Sequence, residues 1–84
     1  MYKSFGERLR EERKKQGLKA ESIAKICGTS RSYITLIETG KRQPGKKILS
    51  KIAEALGLKA TTVLNWYLED VSQKLREQLD ISQK

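Results

Sequence analysis

Arg31, Ser32, Thr35 and Leu36 fall within six residues, spaced so that a helix would turn all four to one side. Each type on that side suits the edge of a base pair. Arg31 carries a planar donor fork that matches the two acceptors of guanine, and Leu36 offers apolar contact to a thymine methyl. Ser32 can hydrogen-bond a base or a phosphate, and Thr35 and Thr39 share the same outward side. Chemistry of other kinds is poorly provided for. The chain has no His and a single Cys, which removes imidazole acid–base catalysis, His-containing metal sites and any intramolecular disulfide. No nucleophile–base pair, metal-ligand cluster or phosphate-cradling loop is visible either. The expectation is a binding protein that uses no cofactor and no metal, rather than an enzyme.

The distribution of charge points the same way. Lys and Arg number 18 against 10 Asp and Glu in 84 residues, a net charge of +8. Residues 1–58 hold 14 of the bases and 6 of the acids, whereas 59–84 hold four of each. Between Thr29 and Lys51 the bases are Arg31, Lys41, Arg42, Lys46, Lys47 and Lys51, and the one acid is Glu38. A basic middle fits a polyanion, and a neutral C-terminal segment fits a protein surface. No apolar run approaches the ~20 residues of a membrane span, and the first residues do not resemble a signal peptide. A reducing, cytoplasmic setting follows as the expectation, with no membrane partner.

These side chains must be positioned by elements that the glycines delimit. Ser4 and Glu7 stand at capping-box spacing before Phe5 and Leu9, and Gly17 closes that first segment. Residues 20–27 place Ile23, Ala24 and Cys27 on one face before Gly28. Ser30 caps a third segment, in which Ile34 and Ile37 face inward, and Gly40 follows its end. Pro44-Gly45 opens a fourth, with Ile48, Leu49, Ile52, Ala53 and Leu56 as its stripe before Gly57. From about Ala60 to Asp80 neither Gly nor Pro intervenes, and one helix of roughly 30 Å is expected. The fold class is all-α, with five helices. Three parts are expected: residues 1–58 as a core domain, 59–80 as an added helix and 81–84 as a frayed tail.

Only Gly28, Thr29 and Ser30 separate the second and third helices, so the pair crosses steeply as a helix-turn-helix, with the third helix suited to a major groove. At this point the sequence resembles the Cro/repressor-type helix-turn-helix family, also called the xenobiotic-response-element family, over about residues 5–58. The resemblance rests on Phe5-Gly6-Glu7-Arg8-Leu9-Arg10 with Arg13, on Gly17-Leu18 and on Ile23-Ala24. It continues through Gly28-Thr29-Ser30-Arg31-Ser32-Tyr33-Ile34, Ile37-Glu38-Thr39-Gly40-Lys41-Arg42-Gln43-Pro44, and Leu49 with Ile52-Ala53-Glu54-Ala55-Leu56-Gly57. It implies that Arg31, Ser32, Thr35 and Leu36 contact bases of double-stranded DNA. By the same resemblance Lys19, Ser30, Thr39, Lys41, Arg42 and Lys47 contact phosphates, and Arg13 and Glu38 form an internal ion pair. Where relatives start the second helix with Ser or Thr and then Gln, this chain has Lys19-Ala20, losing a cap and a polar contact. Lys46 stands where an apolar residue is common, and Cys27 where Leu is usual. Cys27 reads as a small core residue and Tyr33 as packing at the edge of the turn. Arg8, Arg10, Lys14, Lys15, Lys3 and Lys51 read as solvated surface.

Beyond Leu58 the resemblance ends and spacing alone speaks. Val63 and Leu64 are expected to complete the core. Leu64, Leu68, Val71 and Leu75 recur at alternating fours and threes, with Leu79 one turn further, and Trp66 and Tyr67 lie alongside. That seam is longer than a small core can cover. The expectation is a homodimer through this helix, which would present two third helices to successive major grooves; the alternative is a helix folded back on its own domain. The function that follows is a sequence-specific transcriptional regulator, a repressor acting as a homodimer on a palindromic operator. The alternatives are an antitoxin or bridging module that engages a protein partner and binds DNA weakly, or a restriction–modification controller protein.

Overall fold

Capping signals written in the chain decide where its helices start. The computed structural model describes residues 3–83, with side chains placed through Leu79. Its helices are α1 Phe5–Lys15, α2 Ala20–Cys27, α3 Arg31–Glu38, α4 Lys46–Leu56 and α5 Ala60–Gln83, and the described residues contain no strand. At α1, Ser4 Oγ accepts from the Glu7 N–H at 3.2 Å and Glu7 Oε1 accepts from the Ser4 N–H at 3.0 Å, a complete capping box. The bond from the Ser4 backbone, aided by the Ser4 side chain, holds the Glu7 carboxyl below the usual range for Glu. At α3, Ser30 Oγ accepts from the Tyr33 N–H at 3.1 Å. Neither α2, which starts from Lys19, nor α4, which starts from Gly45, has a side-chain cap. Gly28 ends α2 in the left-handed region at φ 67°, which any residue with a Cβ adopts at a cost.

The fully covered side chains are those that repeat at helical spacing. Phe5 and Leu9 of α1, Ile23, Ala24 and Cys27 of α2, Ile34 and Ile37 of α3, and Ile52, Ala53 and Leu56 of α4 form one core, closed by Val63 of α5. Helix α2 packs on α3 and α4, α1 on α3 and α5, and α4 on α5. The approach of α1 to α3 is unusually close. A Cβ placed on Gly6 would lie 2.2 Å from the Ile37 carbonyl oxygen and 2.6 Å from that of Glu38, so no larger residue fits without moving a backbone. Burial pushes the Cys27 thiol up in pKa, and it packs as the small core residue that its spacing implied.

Helix α5 departs from expectation in three respects. It runs through Gln83 rather than stopping at Asp80, so residues 81–83 are helical where a frayed tail was expected, and Lys84 lies outside the described residues. Leu64 does not join Val63 in the core: one helical step of about 100° turns it outward, and it is 42% exposed. Trp66 and Tyr67, expected beside the seam, also lean edge-on against Phe5, with ring centroids 6.4 and 6.2 Å away. They are held at least in part by their own domain.

The far half of α5 extends past the globule. At about 1.5 Å per residue its 24 residues span about 36 Å, and the molecule measures 45 × 24 × 23 Å. The radius of gyration is 13.4 Å, against about 12 Å for a compact chain of this length. No helix among the described residues is long and apolar enough to cross a membrane.

Candidate nucleic-acid interface

Helix α3 is fixed from behind so that its front can be read. Ile34 and Ile37 are completely covered, while Arg31, Ser32 and Thr35 are exposed and Leu36 is half-buried. Those four front residues line a single shallow depression. The far end of α3 is braced by an ion pair to α1. Arg13 Nε lies 2.7 Å from Glu38 Oε2 and Nη2 lies 3.1 Å from Oε1, while Nη1 donates to the Leu18 carbonyl at 2.9 Å. Both side chains are largely covered. The bond to Glu38, offset in part by burial, raises the Arg13 guanidinium further above its ordinary pKa. Arg13 and Glu38 are therefore the internal brace that the resemblance implied.

The ends of α1 and α2 meet the front of α3 around a groove of about 600 Å³. Lys19, Arg31, Thr35 and Thr39 line it, together with Arg10 and the Arg13–Glu38 pair. Its charge alone makes Arg10 solvated surface; its place three residues before Arg13, on the same face of α1, is the signal that sets it at the groove. The uncapped start of α2 at Lys19 opens beside this groove, and the uncapped start of α4 carries Lys46 and Lys47, both exposed. A helix start with free N–H groups and a neighbouring lysine suits an anionic oxygen.

Hydroxyl geometry distinguishes the polar residues. Ser30 uses an oxygen lone pair in its cap and keeps its O–H to donate. Thr35 Oγ1 donates back to the Arg31 carbonyl at 3.1 Å, and Thr39 Oγ1 donates back to the Thr35 carbonyl at 2.9 Å. In these rotamers the two threonines present methyl groups and acceptor lone pairs, and not donors. Past α3, Gly40 turns the chain at φ 77°, and the N–H groups of Lys41 and Arg42 both point at the Leu36 carbonyl, at 2.9 and 3.2 Å. This fixes the loop backbone and leaves both cationic side chains exposed.

Helix α5 carries Leu64, Leu68, Leu75 and Leu79 at 42–57% exposure, with Val71 half-buried. One ion pair that spacing does not reveal ties α5 to α1, and one carboxylate of α5 is buried against the domain. Arg8 Nη2 pairs with Glu69 Oε2 at 2.8 Å. Asp70 is 3% exposed, lies 3.5 Å from Lys74 Nζ, and has its Oδ1 buried without a hydrogen-bond donor. Around it stand Ser4, Phe5 and Gly6 at the start of α1, where a carboxylate is favoured by the helix dipole.

Two short helices crossing over three residues, the second anchored behind and polar in front, define a helix-turn-helix protein. The sequence pattern of the HTH_3 family, helix-turn-helix, matches residues 9–63, and the chain belongs to that family. It is 39% identical over 56 residues to the ImmF control region 10 kDa protein of Bacillus phage phi105, covering 67% of this chain and 62% of that one. It therefore spans somewhat less than two thirds of that relative. It is 34% identical over 68 residues to the uncharacterized HTH-type transcriptional regulator YqaF of Bacillus subtilis (strain 168), covering 81% and 84% of the two chains. Among solved structures, the P22 c2 repressor protein in complex with a synthetic operator superposes with a TM-score of 0.69 at 26% identity, covering 76% of this chain and 97% of that one.

Proposed function

We propose that this chain is a sequence-specific regulator of transcription that binds double-stranded DNA, a repressor acting as a homodimer on a palindromic operator in the cytoplasm. The observation that carries the reading is the front of α3: Arg31, Ser32, Thr35 and Leu36 share one open face while Ile34, Ile37 and the Arg13–Glu38 pair immobilise its back. Arg31 reads guanine, Ser32 and Thr35 hydrogen-bond base edges, with Thr35 in its present rotamer acting as an acceptor, and Leu36 meets thymine. Lys19, Ser30, Lys41, Arg42 and Lys47 grip phosphates, and Thr39 does so after its hydroxyl turns away from the Thr35 carbonyl. The domain names of the relatives support the reading, since one is a transcriptional regulator and another a repressor seen with an operator.

The dimer is assigned to α5. Leu64, Leu68, Val71, Leu75 and Leu79 form the seam, and Trp66 and Tyr67 contribute the parts of their rings that Phe5 leaves uncovered. The length of this open seam also favours a second reading, a module whose α5 engages a different protein and whose DNA binding is weak. Selection of bound duplexes from a random pool separates the two. The regulator enriches a palindrome whose half-sites lie about 34 Å apart, one turn of the double helix. An unenriched pool, with binding that depends steeply on salt but not on sequence, would establish the second reading.

A further inference from the structure

Arg42 lies in the loop after α3, and its guanidinium carbon sits 5.5 Å from the centroid of the Tyr33 ring. Tyr33 belongs to the first turn of α3 and is half-buried against the core, so the ring is a fixed plate. The loop is fixed as well, because the Lys41 and Arg42 N–H groups both reach the Leu36 carbonyl. A flexible, exposed cation is thus held between two rigid parts of the same helix.

We propose that Tyr33 is a positioning residue for Arg42, holding its guanidinium flat so that a DNA phosphate finds the donor fork already oriented. The inference rests on the reading of Arg42 as a phosphate contact and adds how that contact is prepared. A ring beneath the guanidinium engages its charge without accepting its N–H groups, and so leaves them available for two parallel bonds to phosphate oxygens. A carboxylate partner would have consumed those donors. Arg42 has no hydrogen bond or ion pair to one among the described residues, unlike Arg13 and Arg8. Lys41, its neighbour, has a point charge and no plane to stack, so the preparation is specific to Arg42.

The test measures affinity for a mixed-sequence duplex across a range of salt concentrations, with folding of each variant followed by circular dichroism. Arg42→Ala should weaken binding and lower the salt slope by about one per subunit. Tyr33→Leu should weaken binding about two- to fivefold per subunit with an unchanged slope, because no charge is lost. Tyr33→Phe should bind as the parent does, since it keeps the ring. Arg42→Lys should weaken binding with the slope retained. Added to Arg42→Ala, Tyr33→Leu should cost nothing more. An equal cost of Tyr33→Leu in both backgrounds overturns the proposal, as does a weakened Tyr33→Phe, which would place the hydroxyl on DNA directly. Full affinity in Arg42→Lys also overturns it, and this surface variant keeps the test decisive should Tyr33→Leu fail to fold. If Arg42→Ala alone changes neither affinity nor slope, the phosphate assignment itself is wrong, which is a different failure.

Discussion

Arg13 and Glu38 stand 25 positions apart and meet with both carboxylate oxygens engaged, so the cost of losing either is set by the charge left behind. Arg13→Ala should lower unfolding free energy by about 2–4 kcal/mol in a urea titration, while the folded fraction keeps its base preference. A loss under about 0.5 kcal/mol would show that solvent already supports Glu38. Lys41 is the opposite case, an exposed cation with a fixed backbone. Lys41→Ala should weaken binding to all sequences alike and reduce the salt slope by about one per subunit; an unchanged slope would remove it from the interface. At this scale the sequence was most legible where a side chain talks to its own helix start, as at Ser4, Glu7 and Ser30. The Arg13–Glu38 pair came only through the family resemblance, because nothing in spacing links two residues on helices whose crossing is unknown. The missing cap at Lys19 was visible for the same local reason as the caps present, while Arg10, judged by its solvated face alone, was not placed at the groove.

Helices α1 and α3 touch through backbone, and Gly6 is what permits it. Gly6→Ala would ordinarily favour a helix by about 1 kcal/mol. Here the added Cβ meets two carbonyl oxygens well inside contact distance, so the variant should be destabilised by about 1–3 kcal/mol in thermal or urea unfolding. A more stable variant would mean that α1 slides freely over α3. The resemblance named Gly6, but only the crossing explains it. Helix α5 shows most clearly where pattern reading stops. Val63, Trp66, Tyr67 and Asp70 follow helical spacing on the inner face, and Leu64, Leu68, Val71 and Leu75 follow it on the adjoining one. Two faces one residue apart merge into a single broad stripe on a helical wheel, so spacing alone puts Leu64 in the core beside Val63 and does not show that Trp66 and Tyr67 also reach Phe5. Asp70 escaped notice because a carboxylate interrupts an apolar count, whatever its surroundings in the fold.

For the whole molecule, a basic domain with a protruding helix makes two separable demands, which the proposed function assigns to DNA and to a second copy. Leu68 and Leu75 are each about half exposed, and each buried Leu is worth about 1.5–3 kcal/mol of transfer from water in full. The double variant Leu68→Glu/Leu75→Glu should therefore sediment as a folded monomer with a helical circular dichroism spectrum, and its affinity for a two-half-site duplex should fall steeply. A persistent dimer would move the interface elsewhere; an unfolded chain would put these leucines in the core. Arg31 on the front of α3 is the side chain on which a symmetric reading of DNA would turn, and a single comparison tests it. Selection from a random duplex pool, run in parallel on the parent and on Arg31→Ala, should return a palindrome from the parent and a version of it degenerate at one position per half-site from the variant. In the variant, one base pair in each half-site should lose its preference, at a cost of about 1–3 kcal/mol per half-site. An unchanged palindrome, or affinity lost equally for every sequence, would contradict the assignment of the α3 front as the surface that reads bases.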